Sequence, residues 1–216
     1  MLAFALSAGV SAQLVAGKDY RLINPPQPTD SGKKVEVTEF FYYGCPHCFN
    51  LQPPLKAWLK RKPADVEFRR VAALFSDKAE DPWVPLTKTY YALEALGLLD
   101  PLHDKLFSAI HEQNAIDLRV LPRDPNPLFG WLARQGVDRE KFISTYNSFG
   151  VQSRVRRSTA LTNGHDITGT PALIVDGRYY LSSPTVNPNN TPNYQRYFQV
   201  LDQVIAMARK ERAGKK

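Results

Sequence analysis

The sequence predicts an α/β chain in which a helical block is set inside a strand-bearing frame, and three observations carry that reading. Val35 to Tyr43 is β-branched, aromatic or apolar almost throughout, with apolar side chains on both faces, as a central strand covered on two sides requires. From Ser76 to about Asn163 the pattern is helical, punctuated by Gly97, Pro101, Pro122, Pro125, Gly136 and Gly150. Strand chemistry then returns in Ala172 to Val175 and Arg178 to Leu181. The dipeptide between them, Asp176-Gly177, favours a type I′ hairpin turn.

At 216 residues the chain suits one domain, or one domain carrying an insertion. Tyr20 to Ile23 reads as an edge strand, followed by an extended connection through Pro25, Pro26 and Pro28. After the central strand, Gly44 breaks the pattern and a helix follows from Pro46 to about Arg61, with Phe49, Leu55, Trp58 and Leu59 sharing one face. Pro53 and Pro54 each remove a backbone donor and crowd the carbonyl four residues back, which predicts a kink near Phe49 and Asn50 or a split into two segments. Val66 to Leu74 is the next strand. The helices expected in the block are Trp83 to Leu96, Leu102 to Glu112, Leu128 to Arg134, Arg139 to Tyr146 and Val151 to Leu161. Asn187 to Asn193 reads as a loop, and an amphipathic helix from Tyr194 to about Arg209 precedes a basic end.

Composition narrows the function classes. With 43% hydrophobic and 23% charged residues the chain is globular rather than disordered. Its net charge of +7 is scattered, densest at Arg154, Arg156 and Arg157 and from Arg209 to Lys216. No nucleic-acid-binding motif accompanies it, so a solvated face is the reading and no nucleic-acid partner is expected. Leu2 to Val10 is apolar or small, and Val10-Ser11-Ala12 resembles a small-residue cleavage site, so residues 1–12 read as part of a secretory signal whose positive start lies upstream. No other stretch reaches the roughly 20 apolar residues of a bilayer span.

The two cysteines, Cys45 and Cys48, lie three positions apart and cannot staple distant segments. Cys45 falls at the N-cap of the predicted helix, facing unpaired backbone N–H groups and the positive end of the helix dipole, both of which favour thiolate over thiol. Pro46 suits the first helical position, where its missing donor would have had no partner. Cys48 follows by nearly one turn, so the two sulfurs can close a disulfide. His47 adds a possible cation and donor beside Cys45. A stabilised thiolate is a good leaving group and favours the reduced form, so the pair should be oxidising. The competing reading of Cys-x-x-Cys is half of a zinc site, which needs two further ligands. No second pair exists, and His103, His111 and His165 stand on separate segments, so neither metal nor cofactor is expected.

The run Glu39-Phe40-Phe41-Tyr42-Tyr43-Gly44-Cys45-Pro46-His47-Cys48 resembles the active-site segment of bacterial periplasmic DsbA proteins. That family is itself a known case of a strongly depressed cysteine pKa and an oxidising couple, so the resemblance implies the same two properties here. It also implies a thioredoxin fold, a central mixed β-sheet flanked by helices, with an inserted all-helical domain. The expected division is 13–75 for the N-terminal part of that fold, 76–163 for the insertion and 164–216 for the C-terminal part. Pro53 departs from many DsbA proteins and takes the place of the helix-kinking proline of thioredoxin.

Three further expectations follow from the resemblance. Gly169-Thr170-Pro171-Ala172 stands where this fold places a cis-proline loop opposite the cysteines, with Thr170 offering backbone groups to an extended substrate; an ordinary strand-initiating proline is the alternative. Glu39 alternates with Val35, Val37, Phe41 and Tyr43, which turns it toward the core. It resembles the buried acid beneath the cysteines and is expected to exchange a proton with Cys48; a solvent-facing glutamate is the alternative. Arg69 or Arg70 is placed to balance its charge. The implied activity is a thiol:disulfide interchange protein, a dithiol oxidase acting on reduced exported proteins in the periplasm of a Gram-negative bacterium. A DsbB-like membrane quinone reductase would reoxidise it, and a monomer is expected. A reductase or isomerase of the same fold, or a redox-inert peptide-binding module, are the competing readings.

Overall fold

The computed structural model describes residues 14–78, 81–182 and 191–214. The expected leader at 1–12 and most of the loop expected at Asn187 to Asn193 lie outside them. In chain order the elements are β1 (Arg21–Leu22), β2 (Val35–Phe41), α1 (Pro46–Arg61), β3 (Val66–Ala72), α2 (Val84–Ala95), α3 (Leu99–His111), α4 (Asn126–Arg134), α5 (Arg139–Tyr146), α6 (Phe149–Gly164), β4 (Ala172–Val175), β5 (Tyr179–Leu181) and α7 (Tyr194–Gly214). The strands form one mixed sheet in the order β1-β5-β4-β2-β3, in which β2 and β3 are parallel and the other neighbours antiparallel. Helices α2 to α6 all fall between β3 and β4, as the change of period predicts.

The structure corrects several boundaries, each for a local reason. Strand β2 stops at Phe41 rather than Tyr43, and β3 stops at Ala72 rather than Leu74. Beyond Phe41, whose carbonyl accepts from Ala73 N–H at 2.8 Å, the chain turns, and Cys45 N–H donates to Tyr42 O at 3.0 Å to start α1. Helix α3 begins at Leu99, ahead of Pro101, because a proline in the first turn gives up no helical hydrogen bond. Helix α6 begins at Phe149, where the Ser148 hydroxyl caps it by accepting from Val151 N–H at 3.2 Å.

Of the two outcomes expected at the prolines, a kink or a split, the split is absent: one helix runs through both. The buried apolar residues on either side of them, Leu51 before and Leu55 and Trp58 after, dock on the same core. Full burial of a leucine side chain contributes about 1.5–3 kcal/mol. Leu51, Leu55 and the larger Trp58 together therefore offset the roughly 6 kcal/mol or more that two interior prolines cost. Helix α7 extends past Arg209 to Gly214 because its last turns are tied down. Arg209 forks onto Asp65 at 2.6 and 2.7 Å, and Arg212 bonds Asp176 at 2.7 Å.

The hairpin turn is the one predicted. Asp176 and Gly177 have φ of +54° and +62°, both left-handed as type I′ requires. Glycine is needed at 177 for a second reason, since a Cβ there would lie 2.0 Å from Gln27 O.

One face of the sheet packs against α1 and α7 through Val35, Val37, Leu51, Leu55, Trp58, Leu173 and Leu201. Phe40, Val71, Ile174 and Tyr180 cover the opposite face with Ile23 and Ile167. The helical block gathers around Phe41, Tyr43, Tyr90, Leu106, Phe107 and Trp131. Since Val37 belongs to the first of these cores and Phe41 to the last, Glu39 sits at the seam between the α1/α7 layer and the helical block.

Candidate active site

Cys45 is the N-cap of α1, with φ −89° and ψ 116°, and Pro46 is the first helical residue. An extended N-cap followed by proline aims the free N–H groups of the first turn back at the cysteine. Gly44 lets the chain approach the helical block, for a Cβ there would meet the Tyr42 ring at 2.4 Å and Leu118 at 2.9 Å. Cys45 is partly exposed, Cys48 is buried, and both are thiols in this structure.

The two sulfurs are driven in opposite directions. The Cys45 pKa is lowered to about 5: the Cys48 thiol donates to it, the Thr170 side chain adds a second hydrogen bond, and the backbone N–H groups of Cys48 and His47 complete the cradle against the opposing effect of burial. Cys48 is pushed well above an ordinary thiol, first by burial and then by its neighbour Cys45. One sulfur is thus a ready thiolate and the other a reluctant one. His47 lies on the exposed side of the helix, and it is its backbone amide that is found among the groups favouring the thiolate.

Across from the cysteines, the peptide bond between Thr170 and Pro171 is cis, as the resemblance implies. A second cis bond, Asn24 to Pro25, lies in the connection after β1, where the sequence offered only an extended path. The Cys45 thiol donates to Thr170 O at 3.3 Å, which brings this loop against the outer sulfur.

Glu39 is fully buried, as strand alternation predicts. Burial raises its pKa, and the Arg70 guanidinium together with the Gln52 amide partly offset that. The register of β2 on β3 settles which arginine pairs with it. Glu39 stands opposite Arg70, whose Nε donates to Oε2 at 2.9 Å, while Arg69 points to the other face and bonds Asp30 at 2.6 Å and Glu36 at 3.4 Å.

Several residues near the site carry no signal in the sequence. Gln52 donates through Nε2 to Glu39 Oε1 at 3.2 Å and to the backbone carbonyl of Cys48 at 3.3 Å, tying the acid to the first turns of α1. Its helical spacing from Cys48 is the only hint of this. His103 is buried and bonds the Tyr43 hydroxyl through Nδ1 at 2.8 Å; burial holds its pKa well below the ordinary range, so it stays neutral. His111 donates through Nε2–H to Tyr43 O at 2.7 Å and stacks on Phe49, fastening α3 to the start of α1.

Comparison with known proteins agrees with this geometry. Residues 36–194 match the family model described as a DSBA-like thioredoxin domain. The thiol:disulfide interchange protein DsbA of Bordetella parapertussis is 40% identical over 200 residues, covering 93% of this chain and 89% of that protein. The protein of the same name from Burkholderia cepacia is 36% identical over 210 residues, covering 95% and 92%. Among solved structures, the oxidoreductase DsbA from Xylella fastidiosa superposes with a TM-score of 0.79 at 30% identity, covering 91% of this chain and 98% of that one. The sheet order, the helical insertion and the cysteine pair at the head of α1 have the same explanation: this chain belongs to the DsbA-like thioredoxin family and is a thiol-disulfide oxidoreductase.

Proposed function

We propose that the chain is a dithiol oxidase that introduces disulfides into reduced exported proteins in the periplasm. The observation that carries this reading is the opposed tuning of the two sulfurs, with Cys45 lowered to about 5 and Cys48 raised well above an ordinary thiol. A low-pKa sulfur leaves readily, so mixed disulfides on Cys45 are short-lived and the reduced enzyme is the stable end of the couple. A substrate thiolate attacks Cys45 and expels Cys48. A second substrate thiolate then displaces Cys45, leaving a disulfide on the substrate and two thiols on the enzyme.

Other residues take supporting roles in this reading. Glu39, buried in β2 and tied through Gln52 to the backbone of Cys48, exchanges a proton with the Cys48 sulfur as it leaves or attacks. Thr170, in contact with Cys45, pairs its backbone with an extended substrate, and Pro171 holds the loop in place. The His47 imidazole favours the thiolate while Pro46 starts the helix. The enzyme works as a monomer, and a DsbB-like membrane quinone reductase restores the disulfide. Equilibration with glutathione buffers tests the assignment: a potential near that of DsbA supports the oxidase, whereas one near thioredoxin's, about −270 mV, would make the chain a reductase.

A further inference from the structure

Tyr43 lies just past the end of β2, two residues ahead of Cys45, and α3 holds it at both ends. Its hydroxyl shares a hydrogen bond with Nδ1 of His103 at 2.8 Å, and its carbonyl, which falls between strand and helix, accepts from Nε2–H of His111 at 2.7 Å. His103 is a costly residue for its position. It is buried among Phe41, Tyr43 and Phe107 at ring-centroid distances of 5.3, 5.2 and 5.2 Å, and its Nε2 has no hydrogen-bond partner among the described residues. A leucine would fill that space without stranding a polar atom, so what the imidazole supplies there is its bond to Tyr43. His111 reaches further. Besides Tyr43 O it meets the Phe49 ring, stacked at 5.2 Å and 19°, and Phe49 N–H donates to Cys45 O at 3.1 Å in the first turn of α1. One imidazole therefore touches the chain on both sides of Cys45.

We propose that His103 and His111 are positioning residues for Cys45: by gripping the two ends of Tyr43 they fix the exit from β2, and with it the aim of the first-turn N–H groups of α1 at the sulfur. Those N–H groups, from His47 and Cys48, belong to backbone that begins only after the turn from Tyr42 to Cys45, in which Cys45 N–H donates to Tyr42 O at 3.0 Å. A hydrogen bond to a charged acceptor weakens steeply with distance and angle, so a turn free to rock would loosen the cradle while leaving the rest of α1 intact. The groups that face the sulfur directly are Cys48 on α1, Tyr42 at the strand exit and Thr170 on the cis-proline loop. Helix α3 acts on it through Tyr43 and Phe49. The inference rests on the reading of Cys45 as the stabilised thiolate of the pair.

The test is the pH titration of Cys45 in the reduced protein, followed by the ultraviolet absorbance of its thiolate, for the wild type, His111→Leu, His111→Gln and His103→Leu. His111 is half-buried and borders a surface cavity with Gly44 and Pro46, so replacing it leaves the core filled. His111→Leu removes the donor and should move the titration up by about 0.5–1 on the pH scale, part of the roughly one to two that loss of a whole hydrogen bond to a charged group represents. His111→Gln keeps an N–H donor of similar reach and should recover most of that change. His103→Leu frees the far end of Tyr43 and should act in the same direction by less. A Cys45 titration that stays at the wild-type position in both leucine variants, whatever their stability, overturns the proposal, because α3 would then serve packing alone. Equal changes in His111→Leu and His111→Gln overturn it as well, since the ring or its charge rather than the donor would be the cause. The His111 pair decides the case even if the buried His103→Leu does not fold. A wild-type Cys45 that titrates like an ordinary thiol overturns the reading of the pair itself, whereas the comparisons among variants bear on α3 alone.

Discussion

Alkylation of Cys45 as a function of pH reads the central electrostatic claim directly. With its pKa lowered to about 5, Cys45 is almost fully ionised at neutral pH, whereas a free cysteine near 8.5 is only about 3% thiolate. The roughly 30-fold gain in thiolate is cancelled by the lower intrinsic nucleophilicity of a weakly basic sulfur, about 40-fold for a Brønsted slope of 0.4–0.5. Near pH 7 the two thiols should therefore react at similar rates. Near pH 5 half of Cys45 remains ionised and it should outpace a free thiol by about 40-fold. The sign of the stability effect follows. A lowered pKa in the folded state stabilises the reduced protein above the free-thiol pKa, and that contribution is lost as pH falls from about 8.5 through 5. The shift at full weight is worth about 5 kcal/mol; with Cys45 partly exposed, solvent screening leaves ~2–3 kcal/mol. Denaturation of the reduced and oxidised forms should show this difference growing with pH across that window. An alkylation rate that inflects near 8.5, or a difference that stays flat, would refute the reasoning.

Two further predictions concern the frame that holds the site. Arg70→Met leaves the buried Glu39 without its cation and should cost about 3–5 kcal/mol at neutral pH. Burial already raises the Glu39 pKa, so its contribution is most favourable at acid pH and is lost as pH rises through the raised value; the penalty should shrink on acidification, and equal penalties at all pH values would show that the carboxylate is not the cause. Gly177→Ala places a Cβ against Gln27 O at a left-handed position and should destabilise by about 2–5 kcal/mol, read as a lower denaturation midpoint with an unchanged Cys45 titration.

Residue order alone determined the redox pair, its place at a helix entrance, the inward side of Glu39, the turn at Asp176-Gly177 and the helical block. Each follows from short-range rules: cap chemistry, strand alternation, positive-φ preference and period. Whether the prolines would split α1, and how far α7 runs, were not legible, because burial of Leu51, Leu55 and Trp58 in one case and the Arg209–Asp65 and Arg212–Asp176 pairs in the other act from far along the chain. Which arginine faces Glu39 was decided by the register of β2 on β3, since a shift of one residue sends a strand side chain to the opposite face. Gln52 had no visible role until α1 closed over the sheet and brought its amide to Glu39. A polar side chain acquires its meaning from what it meets there, and those contacts join residues too distant in sequence for any local pattern to relate.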